Sequence, residues 1–124
     1  MSENPQESKT GPTHVWYALL YSLSGLRSAH KNETAFRQEC LLAVVLVIVA
    51  MLIPASMTQR ALMISSLLLV LMIELLNSAV ESTVDRISTE DHRLAKRAKD
   101  MGSAAVFIAL VNVVVVWLLV LIGL

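Results

Sequence analysis

The sequence predicts an all-α membrane protein: one N-terminal amphipathic surface helix followed by three transmembrane helices, gathered into a homo-oligomeric bundle. Three observations lead there. The chain is 56% hydrophobic and 16% charged, with a mean hydropathy of +0.65, more apolar than an ordinary soluble domain. Three segments, about 36–53, 61–84 and 102–124, meet or approach the ~20 mostly apolar residues that a spanning helix needs. The second of them ends in a stripe of acids that three helices alone are too thin a bundle to hide, which implies further copies of the chain. The formal net charge is zero, from 10 basic and 10 acidic side chains, which argues against nucleic acid as a partner.

Residues 1–12 are rich in Ser, Glu, Asn, Gln and Pro and are expected to form a disordered polar tail. They have none of the apolar character of a cleavable signal peptide. Residues 13–124 then form a single membrane-embedded domain. Thr13 suits the N-cap of a helix over about 13–31. Val15, Ala18, Leu19, Leu26 and Ala29 fall on one face of it, and Tyr17, Ser24, Arg27, Ser28 and Lys31 on the other. With Trp16, Tyr17 and Tyr21 suited to the headgroup level, and a bilayer-entering segment next, this helix belongs on the membrane surface. His30 to Glu39 reads as the linker to the first span, which Pro54 stops. A short loop over 54–59 closes at Arg60. The second span runs from Ala61 to near Asp85. In Ser88-Thr-Glu-Asp91 a hydroxyl precedes an acid by three residues, a helix-start pattern, so the third helix should begin near Thr89 and enter the membrane at about Gly102. Cys40, the single cysteine, excludes an intrachain disulfide, and His14, His30 and His92 lack metal-ligand spacing.

Nine of the ten Lys and Arg residues lie before or at the start of the first span, or between the second and third. Arg60 alone is on the other side. The positive-inside rule therefore puts the N-terminus and the second loop in the cytoplasm, and the 54–60 loop and the C-terminus outside, for a multi-pass membrane protein.

Glu74-Leu-Leu-Asn77-Ser-Ala-Val-Glu81-Ser-Thr-Val-Asp85 is the most informative stretch. At ~100° per residue, Glu74, Asn77, Glu81 and Asp85 fall at about 0°, 300°, 340° and 20° on a helix, with Glu74 and Glu81 about 10 Å apart along the axis. Ionised groups near hydrocarbon cost several kcal/mol, so a stripe of three acids and an amide serves function rather than mere helix gluing. If the second and third helices are antiparallel about a turn near Ile87, Glu81 meets Leu94 or Ala95, and Asn77 meets Lys99. Arg93, Lys96, Arg97 and Lys99 add a cationic rim. Acids able to hold a divalent metal beside cations able to hold phosphates suggest phosphoryl transfer. The P-loop, the kinase glycine loop, H-R-D and D-F-G are all missing from the sequence, so a nucleotide site here is of another kind.

The same stripe, with Arg97-Ala-Lys99-Asp100-Met-Gly-Ser103, Gly-Leu-Arg27 and Asn32-Glu33-Thr-Ala-Phe-Arg37-Gln-Glu39, resembles the prokaryotic integral-membrane diacylglycerol kinases over nearly all of the chain past the tail. The resemblance implies a homotrimer of three-span subunits, each with a surface helix. It implies transfer of the γ-phosphoryl of ATP, with Mg²⁺, to the primary hydroxyl of the membrane lipid diacylglycerol. By the same resemblance Glu74 is the general base, and Glu33 and Glu81 hold the metal. Tyr21, Glu33, Glu81, Glu90, His92, Lys99 and Asp100 form the ATP side, and Asn77 and Asp85 support the site. Arg37, Glu39, Glu74 and Ser103 face the lipid. The residues themselves agree on Glu74, the deepest acid, within reach of a lipid hydroxyl. His14 and Leu23-Ser24 depart from the family pattern, which has Arg and Trp-Lys there.

Two alternatives stand beside this reading. An undecaprenol (polyprenol) kinase of the same fold changes only the acceptor; the Ala-Lys-Asp-Met-Gly-Ser-Ala-Ala stretch and the length lean toward diacylglycerol. A small proton-coupled multidrug exporter also uses an intramembrane Glu, but predicts four spans and one essential acid.

Overall fold

The computed structural model describes residues 11–87 and 92–124, which form four helices: α1 Gly11–Asn32, α2 Thr34–Leu52, α3 Met57–Ile87 and α4 Arg93–Ile122. Residues 1–10 of the polar tail expected over 1–12, and the helix-start signal at 88–91 with Glu90, lie outside the described residues. Gly11 and Pro12, expected in that tail, instead open α1. The chain divides into two compact units, residues 1–34 and 35–124.

In the first unit α1 begins at Gly11, which has φ +60°, followed by Pro12. A proline's fixed φ and missing N–H suit the first helical turn. Thr13 therefore sits inside the helix, and its expected capping role is not taken up. Val15, Trp16, Leu19, Leu20, Tyr21, Leu23 and Leu26 are exposed. His30 and Lys31 occupy the last turn, where the helix dipole favours cations. The expected linker from His30 to Glu39 shrinks to a single residue, because nothing in that stretch breaks a helix. Glu33 alone stands between α1 and α2, its N–H bonded to the Ala29 carbonyl at 2.9 Å.

In the second unit α2 ends at Leu52, just ahead of Pro54, and a tight connection leads to α3. Ser56 and Gln59 form a reciprocal cap: the Ser56 N–H donates to Gln59 Oε1 (2.8 Å) and the Gln59 N–H to Ser56 Oγ (3.1 Å), which starts α3 earlier than Ala61. Arg60 does more than close the loop. Its Nε donates to the Ala50 carbonyl at 3.1 Å and its Nη2 to that of Ile53 at 2.9 Å. It thus caps the negative end of α2 from the first turn of α3. Arg60→Met should lower stability by about 2 kcal/mol, the worth of charge-assisted bonds to half-buried carbonyls. Denaturant unfolding in micelles checks this; a wild-type midpoint would remove the cap from the account.

At ~1.5 Å per residue the 31 residues of α3 span about 46 Å, longer than a ~30 Å hydrocarbon layer. The helix therefore carries its acidic end beyond the apolar zone. Met63, Ser66, Leu67, Val70 and Glu74 are its buried residues, a single stripe at three- and four-residue spacing. Met63 packs with Ala50, Ala55 and Val120 in a small core rimmed by Ile53, Ile64, Val116 and Trp117. Among the described residues of this unit, α3 packs chiefly against α4. They run antiparallel, as the matched positions Met63 with Val120 and Asp85 with Lys99 require.

α4 begins at Arg93 rather than near Thr89. His92 is its N-cap, Nδ1 accepting the Leu94 N–H at 3.1 Å. Large apolar side chains remain exposed along every helix of this unit, among them Leu41, Ile48, Leu68, Leu76, Phe107 and Leu118. Water would not tolerate so much exposed apolar surface. α2, α3 and α4 are each long and apolar enough to cross a membrane.

Candidate active site

The buried stripe of α3 continues, turn by turn, into the polar stripe of the sequence. Glu74 is 8% exposed, the one charged side chain that is buried among the described residues. Asn77 and Glu81 are half-buried and Asp85 is exposed. Burial thus falls steadily toward the polar end, and one helix face offers a deep carboxylate and shallow ones in sequence.

α2 contributes a second carboxylate at depth. Glu39 lies within electrostatic reach of Glu74, and its Oε2 is buried without a hydrogen-bond partner among the described residues. Glu39 also stands at the head of a cleft of about 60 Å³ between α2, α3 and α4, otherwise lined by apolar side chains such as Leu42, Leu46, Leu67, Val70 and Leu110. Its position on α2 follows from the helix starting at Thr34, so that Glu39 belongs to the span instead of a linker.

At the polar end Lys99 of α4 pairs with Asp85 of α3, Nζ to Oδ1, at 2.6 Å. Glu81 acts electrostatically on the same ammonium. Lys99 reaches the acids through its stem as expected, but the register differs. Gly102, not Lys99, lies opposite Asn77, where an added Cβ would fall on Asn77 Oδ1. The shift of about one turn arises because α3 runs on to Ile87 and α4 waits until Arg93. Asp100, expected beside Lys99 at the phosphates, pairs instead with Lys96 at 2.7 Å on an exposed face of α4, an i,i+4 contact worth about 0.3–0.5 kcal/mol. Arg93 and Arg97 are exposed nearby on α4, as are His92, whose Nδ1 is committed to the cap, and Ser103. Arg37 is exposed on α2. In the first unit Tyr21 is exposed on α1 and Glu33 half-buried at its end.

Among the described residues no three His, Cys, Asp or Glu side chains gather as a metal cage. Mg²⁺ at phosphoryl-transfer sites takes one or two carboxylates and fills its octahedron with phosphates and water. A donor of that kind is present in Glu81, a half-buried carboxylate toward the polar end of the stripe.

Carboxylates at such depth are kept where they handle a substrate or a proton, and the helices around them suit a bilayer. The class this defines is a small multi-span membrane protein with a chemical site between the apolar layer and the polar end of its bundle. The family model for prokaryotic diacylglycerol kinase matches residues 20–121, and the chain belongs to that family. It is 57% identical to a diacylglycerol kinase of Haemophilus influenzae over 108 residues, 87% of this chain and 92% of the relative. It is 52% identical to one from Pseudomonas aeruginosa over 123 residues, 99% of this chain and 100% of the relative. A diacylglycerol kinase of Helicobacter pylori is 39% identical over 115 residues, 93% of this chain and 89% of the relative. Neither alternative, the polyprenol kinase or the exporter, is favoured.

Proposed function

We propose that the chain transfers the γ-phosphoryl group of ATP to the primary hydroxyl of diacylglycerol, giving phosphatidic acid and ADP. Family membership supports a lipid kinase. The observation that carries the acceptor side is the buried Glu74, within electrostatic reach of Glu39, which itself lines an otherwise apolar cleft. The apolar helix surface around the carboxylates suits a lipid, and the carboxylates suit its hydroxyl.

In the reaction Glu74 accepts the proton of the primary hydroxyl. The hydroxyl oxygen forms a bond to the γ-phosphorus, the bond from that phosphorus to the β–γ bridging oxygen breaks, and ADP leaves. Glu39, Arg37 and Ser103 hold the lipid headgroup. Asn77 supports Glu74 and Glu81 from between them, and Asp85 holds Lys99 at the mouth. Lys99, Asp100, His92, Glu90 and Tyr21 form the ATP side. Glu33 and Glu81 would hold Mg²⁺, and the ion would neutralise phosphate charge there. Positioning and charge neutralisation supply most of the catalysis in phosphoryl transfer, which is why a handful of side chains suffices.

The working unit is a homotrimer in the inner membrane. Its surface helix lies on the cytoplasmic face, and its N-terminus is cytoplasmic. Reporter fusions at Met1 and Leu124 are expected to lie on opposite sides of the membrane; same-side reporters would contradict three spans. The acceptor is tested by competition. With γ-labelled ATP and equal mole fractions of diacylglycerol and undecaprenol in mixed micelles, label should appear in phosphatidic acid. Label in undecaprenyl phosphate would select the polyprenol reading, and label in neither would overturn both.

A further inference from the structure

α4 carries a glycine inside its helix at position 102, where a side chain would ordinarily favour helix and packing alike. Its surroundings explain it. A Cβ built on Gly102 would fall on Asn77 Oδ1 and stand 3.3 Å from Asn77 Cγ and 3.9 Å from Asn77 Cα. At Gly11 and Gly25 the same addition meets nothing within 4 Å. The Asn77 amide thus occupies the volume that any other residue at 102 would claim, and its Oδ1 is buried there without a hydrogen bond among the described residues.

Asn77 lies one turn from Glu74 on one side and one turn from Glu81 on the other, so along the stripe it is the neighbour of both the deep carboxylate and the shallow one. We propose that Gly102 is a positioning residue for phosphoryl transfer: by having no side chain it seats the Asn77 amide on the stripe that Glu74 and Glu81 share. The proposal rests on the role of Asn77 given above. A methyl group at 102 cannot coexist with the amide where it stands. Turning the amide away moves the end of a two-torsion side chain, whereas parting α3 from α4 disturbs the chief packing of α3. The amide yields first, and the fold survives.

The test is a double-mutant cycle on the full chain, reading kcat and KM for γ-phosphoryl transfer to diacylglycerol together with the unfolding midpoint. Gly102→Ala should lower kcat by ~10²-fold, the scale set by an ångström of misplacement, with little change in either KM. Added to Asn77→Ala, it should cost less than about twofold more, because the group it displaces is already gone. If Gly102→Ala does not fold alone, it should fold in the Asn77→Ala background, where the methyl has room. Effects that multiply, full activity of Gly102→Ala beside an impaired Asn77→Ala, or failure to fold in both backgrounds would each overturn the proposal and leave the kinase reading intact. Full activity of Asn77→Ala would overturn both the proposal and the role of Asn77 beneath it.

Discussion

Glu74→Gln should lose ~10²–10⁴-fold in kcat, the usual worth of a general base, while binding ATP nearly as well as the wild type. Glutamine keeps the shape and a hydrogen-bonding oxygen but cannot take the proton of the acceptor hydroxyl. The fold should not suffer. Glu74 is 8% exposed, and glutamine fills the same volume while removing one of two carboxylates that repel each other across α2 and α3. A dead enzyme with an unchanged or raised unfolding midpoint is therefore the expected pair of results. Rate measurements on purified variant in mixed micelles, alongside nucleotide binding, check it. Weakened ATP binding with kcat spared would move Glu74 to the nucleotide half and send the search for the base to Glu81 or Asp100.

The second large effect belongs to the metal. Glu81→Gln and Glu33→Gln should each raise the Mg²⁺ and ATP needed for half-maximal rate and cut the rate by about two orders of magnitude or more, with the oligomer intact. Glu81 is half-buried, one turn above Asn77 and within electrostatic reach of Lys99. Removing its charge should also loosen the balance between that ammonium and Asp85. Titrating Mg²⁺ at fixed ATP separates the two causes: a rightward shift that high Mg²⁺ repairs reports a lost ligand. Wild-type activity in both variants would take these acids away from the metal.

The burial of Glu74 was legible in the sequence because the stripe that runs through it is continuous. The apolar residues Met63, Leu67 and Val70 and the polar residues Asn77 and Glu81 share one face, so a core-facing helix necessarily brings the acids inward. The antiparallel pairing of α3 and α4 was legible too, but its register was not. It depends on where two helices stop and start, and the acid-after-hydroxyl pattern at 88–91 pointed to a start at Thr89 where His92 caps instead. Propensity alone decided the join of α1 to α2: charges at Lys31, Glu33 and Arg37 suggested a linker, yet nothing there breaks a helix. The reciprocal cap of Ser56 and Gln59 followed a known spacing that the nearby Pro54 obscured. Arg60 looked like a topological marker, and its bonds to Ala50 and Ile53 depend on a turn geometry no pattern specifies. The seat of Asn77 on Gly102 is a contact across 25 residues, and a lone glycine in a helix gives no hint of its partner until two helices are laid together.

The central claim is that a deep carboxylate on this bundle turns a lipid hydroxyl into the acceptor of a phosphoryl group. Its most direct measurement counts phosphatidic acid formed against ATP consumed, with purified wild-type protein, Mg²⁺, γ-labelled ATP and 1,2-diacylglycerol in mixed micelles. The expected result is one labelled phosphatidic acid per ADP, with the phosphate on the primary oxygen. ADP accumulating while the lipid stays unlabelled would contradict it.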